Sequence, residues 1–153
     1  MKLFQKIDNF QVTLVTGQVF DLYSTLKSGP VVVNFIMGTW CPFCTNHLKK
    51  VRLWQEKLGK KVTMIIISSE SIETLRKWMK ENPMSYLFAS DPSLAIADQF
   101  NANHFMLKMA TPSTFLIDSD HTLKLIFKGI RTDKKRKDML DSICKTGNCE
   151  GNL

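Results

Sequence analysis

What the chain lacks narrows its identity first. No apolar run approaches the ~20 residues that a membrane-spanning helix needs; the longest are Val31 to Met37, interrupted by Asn34, and Val62 to Ile67. The opening MKLFQKIDNF is broken by Gln5, Lys6, Asp8 and Asn9, so it holds no apolar segment of the about 7–15 residues typical of a secretory signal. A cytoplasmic location is expected, with the periplasm or the exterior as the alternative for a chain trimmed of its leader. Four cysteines are too few for a disulfide scaffold. No glycine-rich fingerprint for a flavin or nicotinamide is present, so no cofactor is expected. Repeats, low-complexity tracts and interdomain linkers are also missing.

Fold capacity and charge come next. A chain of 153 residues fits one domain at roughly 100–200 residues each. Its 44% hydrophobic and 23% charged residues are ordinary for a globular protein and poor for a disordered one. Twenty-one Lys and Arg against fourteen Asp and Glu leave a net charge of +7. That excess alone could favour nucleic acid or anionic lipid. Much of it falls between Lys124 and Lys137, where it reads as the solvated face of a final helix. With no zinc-finger, RNP or basic-zipper pattern beside it, nucleic acid is not an expected partner.

Hydrophobic patterning predicts alternating strands and helices. Residues 10–20 read as a peripheral hairpin turning at Thr16-Gly17. VVVNF (31–35) is a nearly continuous apolar run, as expected of a central strand covered on both faces. Leu48, Val51, Trp54 and Leu58 recur at helical spacing, predicting one helix over 42–58 with Pro42 in its first turn. A second buried strand follows at 62–68, then a helix with Ile72, Leu75, Trp78 and Met79 on one face, stopped by Pro83. Residues 86–89 predict a short strand, and Asp91-Pro92 an N-cap and first turn for a helix reaching about Phe100. Residues 101–110 have no period and read as a loop. STFLID and TLKLIFKG predict two strands, and 133–143 the closing helix. The fold class is therefore α/β: a central sheet covered by helices, with an N-terminal β-hairpin.

Two close cysteine pairs draw the chemistry together. Cys41 and Cys44 form C-x-x-C where the first parallel strand hands over to a helix, in the order Gly38-Thr39-Trp40-Cys41-Pro42-Phe43-Cys44. Aligned amide dipoles at a helix N-terminus favour a thiolate, so Cys41 is the candidate nucleophile. Cys44, one turn inward, is the candidate resolving thiol. Cys144 and Cys149 bracket the turn-prone Lys-Thr-Gly-Asn. They could be a structural tail disulfide, free thiols, a shuttle to the central pair, or zinc ligands with that pair and His104 or His121. The site prediction includes no metal.

The segment FIMGTWCPFC (35–44), together with ATPSTFLIDSD (110–120), resembles the thioredoxin-like superfamily in its redoxin branch: the alkyl hydroperoxide reductase and thiol-specific antioxidant family, specifically peroxiredoxin-like members with a WCPFC core. The likeness runs from about residue 10 to 143, leaving 144–153 as a tail. It implies a three-layer thioredoxin-like fold with a mixed sheet and a redox dithiol. It further implies that Pro112 is a cis-proline facing the dithiol, with the Thr111 backbone open to an extended substrate. Trp40, Pro42 and Phe43 would line the substrate path, and Phe105, Met106 and Met109 could extend an apolar rim.

Departures from the peroxiredoxin pattern weigh on activity. Peroxiredoxins place threonine or serine three residues before the peroxide-attacking cysteine, but here Gly38 stands three before Cys41 and Cys41 itself three before Cys44, and Pro112 falls where their peroxide-polarising arginine would align. Arg131 is the arginine left to approach the site. No Asp or Glu lies between Asp21 and Glu56, and Asn34 cannot titrate, so His47 is the candidate base for Cys44. The expectation is a thiol-disulfide oxidoreductase acting on disulfide-bearing proteins, recycled by thioredoxin or glutathione, as a monomer or weak dimer. A thiol peroxidase and a non-catalytic redox sensor or binding module are the alternatives.

Overall fold

Seven strands form one mixed sheet in the order β2-β1-β5-β4-β3-β6-β7. The computed structural model describes residues 1–104 and 106–149. β1 (Gln11–Leu14) and β2 (Val19–Asp21) make the expected hairpin, which joins the sheet through β1 and β5 (Leu87–Ser90). At the centre, β3 (Val31–Phe35) runs parallel to β4 (Thr63–Ser68) and antiparallel to β6 (Ser113–Ile117), with β7 (Leu123–Lys128) at the far edge.

Side-chain alternation along β3 divides the core in two. Val31, Val33 and Phe35 meet α1 (Leu22–Leu26), α5 (Ala95–Gln99) and the Phe100 and Phe115 rings on one face. Val32 and Ile36 meet α2 (Pro42–Val51), α3 (Trp54–Leu58) and α6 (Asp133–Gly147) on the other, where Leu75 of α4 (Ile72–Glu81) also packs. The result is the three-layer arrangement. The same alternation turns Asn34 toward the α2 side, a fully buried amide in an apolar layer.

Local differences from the patterning have local causes. The helix expected over 42–58 is divided at Arg52 and Leu53, although Leu48, Val51, Trp54 and Leu58 all remain buried. The Tyr86 hydroxyl donates to the Leu48 carbonyl (2.9 Å), which keeps its helical bond from Arg52 N–H (3.1 Å), so this contact ties down the last turn of α2 at the division. Asp91 caps α5 from farther away than expected. Its Oδ2 accepts from Ile96 and Ala97 N–H, both at 3.1 Å, while Leu94 takes the N-cap position with φ 62°. The short α1 was not legible in the pattern, and α6 continues to Gly147.

Candidate active site

The end of β3 delivers the dithiol. Backbone pairing stops at Phe35, residues 36–40 bend away, and Cys41 becomes the N-cap of α2 with Pro42 in its first turn. Thr45 N–H donates to the Cys41 carbonyl (3.0 Å) and closes that turn. Both thiols are free, Cys41 5% and Cys44 1% exposed. Met37 N–H donates to Cys44 Sγ (3.3 Å). Burial pushes the Cys44 thiol up to about 11, and its hydrogen bond with the Cys41 thiol adds to the rise. The two sulfurs are therefore already neighbours in the reduced chain.

The loop before Cys41 is tied down by a residue that local sequence could not reveal. Glu70, just beyond β4, accepts from Thr39 N–H (2.7 Å), Thr39 Oγ (2.8 Å) and Ser68 Oγ (2.8 Å). A carboxylate taking several hydrogen bonds makes a stiff clamp. Within the loop the Trp40 indole lies over Gly38 so closely that a Cβ at position 38 would collide with it. A larger residue there requires this exposed ring to move aside.

Beneath the dithiol lies a buried polar cluster. Asn34 Oδ1 accepts from Thr114 Oγ (2.6 Å) and pairs with His47 Nε2 (3.0 Å), which assigns the ring proton to Nε2. Arg131 donates through one terminal nitrogen to the Ser113 carbonyl (2.8 Å), Thr114 Oγ (3.2 Å) and the Phe35 carbonyl (3.4 Å). Asn34 Nδ2, His47 Nδ1 and Arg131 Nε are buried and find no hydrogen-bond partner among the described residues. Burial, followed by repulsion from Arg131 and Arg136, holds the His47 imidazole well below its usual range. A proton resting on His47 would sit buried beside two guanidinium groups, so the neutral imidazole is favoured.

Pro112 needs correction. The register Phe35↔Ser113 does bring it beside the 36–40 bend, but its peptide bond is trans, and no described peptide bond is cis. Trans is the favoured isomer by about 0.5–1 kcal/mol. Here it lets Thr111 N–H donate to the Ala102 carbonyl (2.6 Å) while the chain enters β6 extended. The Thr111 carbonyl accepts from Ser113 Oγ (2.9 Å), so both backbone groups of Thr111 are already engaged.

Around the sulfurs, Trp40 is 60% and Phe43 61% exposed, and Pro42 is exposed beside them. Met106 is exposed and Met109 half-buried, while Phe105 lies outside the described residues. His121 stacks on Tyr23, and His104 Nδ1 accepts from Met106 and Leu107 N–H. Among the described residues no group of three or more His, Cys, Asp or Glu is arranged to hold a metal.

Cys144 and Cys149 are joined as a disulfide. They close the C-terminal end of α6, where Gly147 is tucked against Val62 and Pro30. Those residues precede β4 and β3, whereas Cys41 follows the other end of β3. The Cys144–Cys149 link therefore lies toward the end of β3 opposite the dithiol.

Comparison with known proteins agrees with this architecture. The AhpC/TSA family model matches residues 4–126. A Mycobacterium tuberculosis protein whose name places it among the peroxiredoxins is 27% identical over 124 residues, covering 78% of this chain and 80% of that one. Thiol-disulfide oxidoreductase ResA of Bacillus thuringiensis is 24% identical over 145 residues, covering 94% of this chain and 79% of that one. The crystal structure of peroxidoxin BcpB from Mycobacterium tuberculosis superposes with a TM-score of 0.81 at 22% identity, over 95% of this chain and 97% of that one.

Proposed function

The chain belongs to the AhpC/TSA family, and from that premise we propose that it is a thiol-disulfide oxidoreductase working through Cys41 and Cys44. The observation that carries the reading is the reduced pair itself, with Cys41 at the head of α2 and the Cys44 sulfur already against it. Cys41 attacks a substrate disulfide and releases one substrate thiolate. Cys44 then attacks Cys41 Sγ, closing the Cys41–Cys44 disulfide and freeing the second. Trp40, Pro42 and Phe43 offer an exposed apolar approach for a protein substrate. His47, neutral, fixes Asn34 beneath the pair. A dithiol donor of the thioredoxin type, or glutathione, returns the pair to the reduced state.

A thiol peroxidase is the second reading, favoured by the peroxiredoxin relative and by Arg131 beneath the site. The lack of a threonine or serine three residues before either cysteine of the pair weighs against it. Insulin reduction with dithiothreitol, set beside hydroperoxide consumption, separates the two. The first reading expects disulfide turnover lost in Cys41→Ser and a trapped mixed disulfide in Cys44→Ser. Rapid peroxide consumption without disulfide turnover favours the second, and inactivity in both assays overturns both.

A further inference from the structure

Arg131 is a buried cation without an anion. It is 4% exposed, yet among the described residues its hydrogen bonds go only to two carbonyls and a hydroxyl, and its Nε finds no partner. Among the described residues no carboxylate pairs with it, whereas neighbouring Arg136 is bound to Asp133 (2.6 Å). Isolating a charge from water costs several kcal/mol unless something compensates. Position supplies the candidate. The Arg131 guanidinium sits on the Phe35 carbonyl, and Cys44 Sγ sits on Met37 N–H, so both occupy one short bend at the end of β3.

We propose that Arg131 is the charge partner of the Cys44 thiolate during resolution of the mixed disulfide. The proposal rests on the thiol-disulfide reading above. Burial makes the guanidinium easier to deprotonate, and ionised Cys44, then Cys41, pull in the opposite direction. With its thiol near 11 in the reduced chain, where Cys41 adds to the rise, Cys44 is ionised in only about one molecule in 10⁴ at pH 7. Once Cys41 is held in a mixed disulfide it is no longer a competing thiol or thiolate, while the Arg131 charge remains. The other groups around the cluster are neutral His47 on α2, Arg136 on α6 paired to Asp133, and Glu70 committed to Thr39; Asn34 of β3 and Thr114 of β6 do not titrate.

The step balances. Cys44 gives its proton to solvent, and its thiolate attacks Cys41 Sγ. The Cys44–Cys41 bond forms as the Cys41–substrate bond breaks, and the departing substrate sulfur carries off the electron pair and takes up a proton. Over both steps the dithiol loses two electrons and the substrate disulfide gains them.

Stopped-flow reaction of the reduced protein with 5,5′-dithiobis(2-nitrobenzoate) reads the two sulfurs separately. Cys41 releases the first nitrothiolate and Cys44 the second. In Arg131→Met the second release should slow by about tenfold at pH 7 and its pH midpoint should rise by about one unit, the size expected for losing a nearby opposite charge. The first release should change far less, and Arg131→Lys should keep most of the wild-type second rate. An unchanged second release, or equal slowing of both, overturns the proposal. If Arg131→Met does not fold, Arg131→Gln takes its place, and the same two outcomes support or overturn the proposal. Absence of the first release in wild type overturns the dithiol reading and this proposal together.

Discussion

A single imidazole gives the site a pH signature. His47 stays neutral in the folded chain because burial and two guanidinium groups oppose its proton. Above about pH 6.5 folded and unfolded chains both hold it neutral. Below that, the unfolded chain binds a proton that the folded chain refuses, so folding stability falls as pH falls, by at most about 1.4 kcal/mol per unit for this group. Urea denaturation at pH 7.5 and 5.5 should show the loss, and His47→Gln should flatten it. Glu70→Gln puts an amide nitrogen where one of three donors now finds a carboxylate oxygen. Iodoacetamide should then label Cys41 several-fold faster as the 36–40 bend loosens, at a stability cost of about 1 kcal/mol. The cysteine pair was legible because its spacing and strand-to-helix setting are local. The clamp was not, because Glu70 and Thr39 are 31 residues apart, nor was the Arg131 contact with Phe35 across 96. The trans Pro112 departs from what the resemblance implies, since the small intrinsic gap between its isomers leaves the outcome to tertiary contacts.

Strand and helix types were legible where hydrophobic period was strong, above all in β3, β4 and α4. Ends and interruptions were less so, because they depend on contacts from elsewhere in the chain. Tyr86, reaching Leu48 across 38 residues, stands at the α2–α3 division. Asp91 was recognised as a cap, but a left-handed residue at Leu94 moved the helix start downstream. Its carboxylate still satisfies two buried N–H groups. Asp91→Ala should therefore cost about 1–2 kcal/mol in chemical denaturation, with Asp91→Asn retaining most of the stability.

The whole molecule separates its two sulfur pairs along the strands. The Cys144–Cys149 link closes a short loop at the end of α6. On a chain-entropy account it contributes about 2 kcal/mol. Cys149→Ser should lower denaturation stability by about that amount in the absence of reductant and leave insulin reduction by the central dithiol unchanged. Of the aromatic side chains able to emit in the near ultraviolet, Trp40 stands in water at the dithiol, while Trp54 is buried and Trp78 half-buried on the helical face. Trp40 thus offers an unlabelled optical gauge at one pole: its emission should shift when the neighbouring Cys41 enters a disulfide, and Trp40→Phe should abolish that shift.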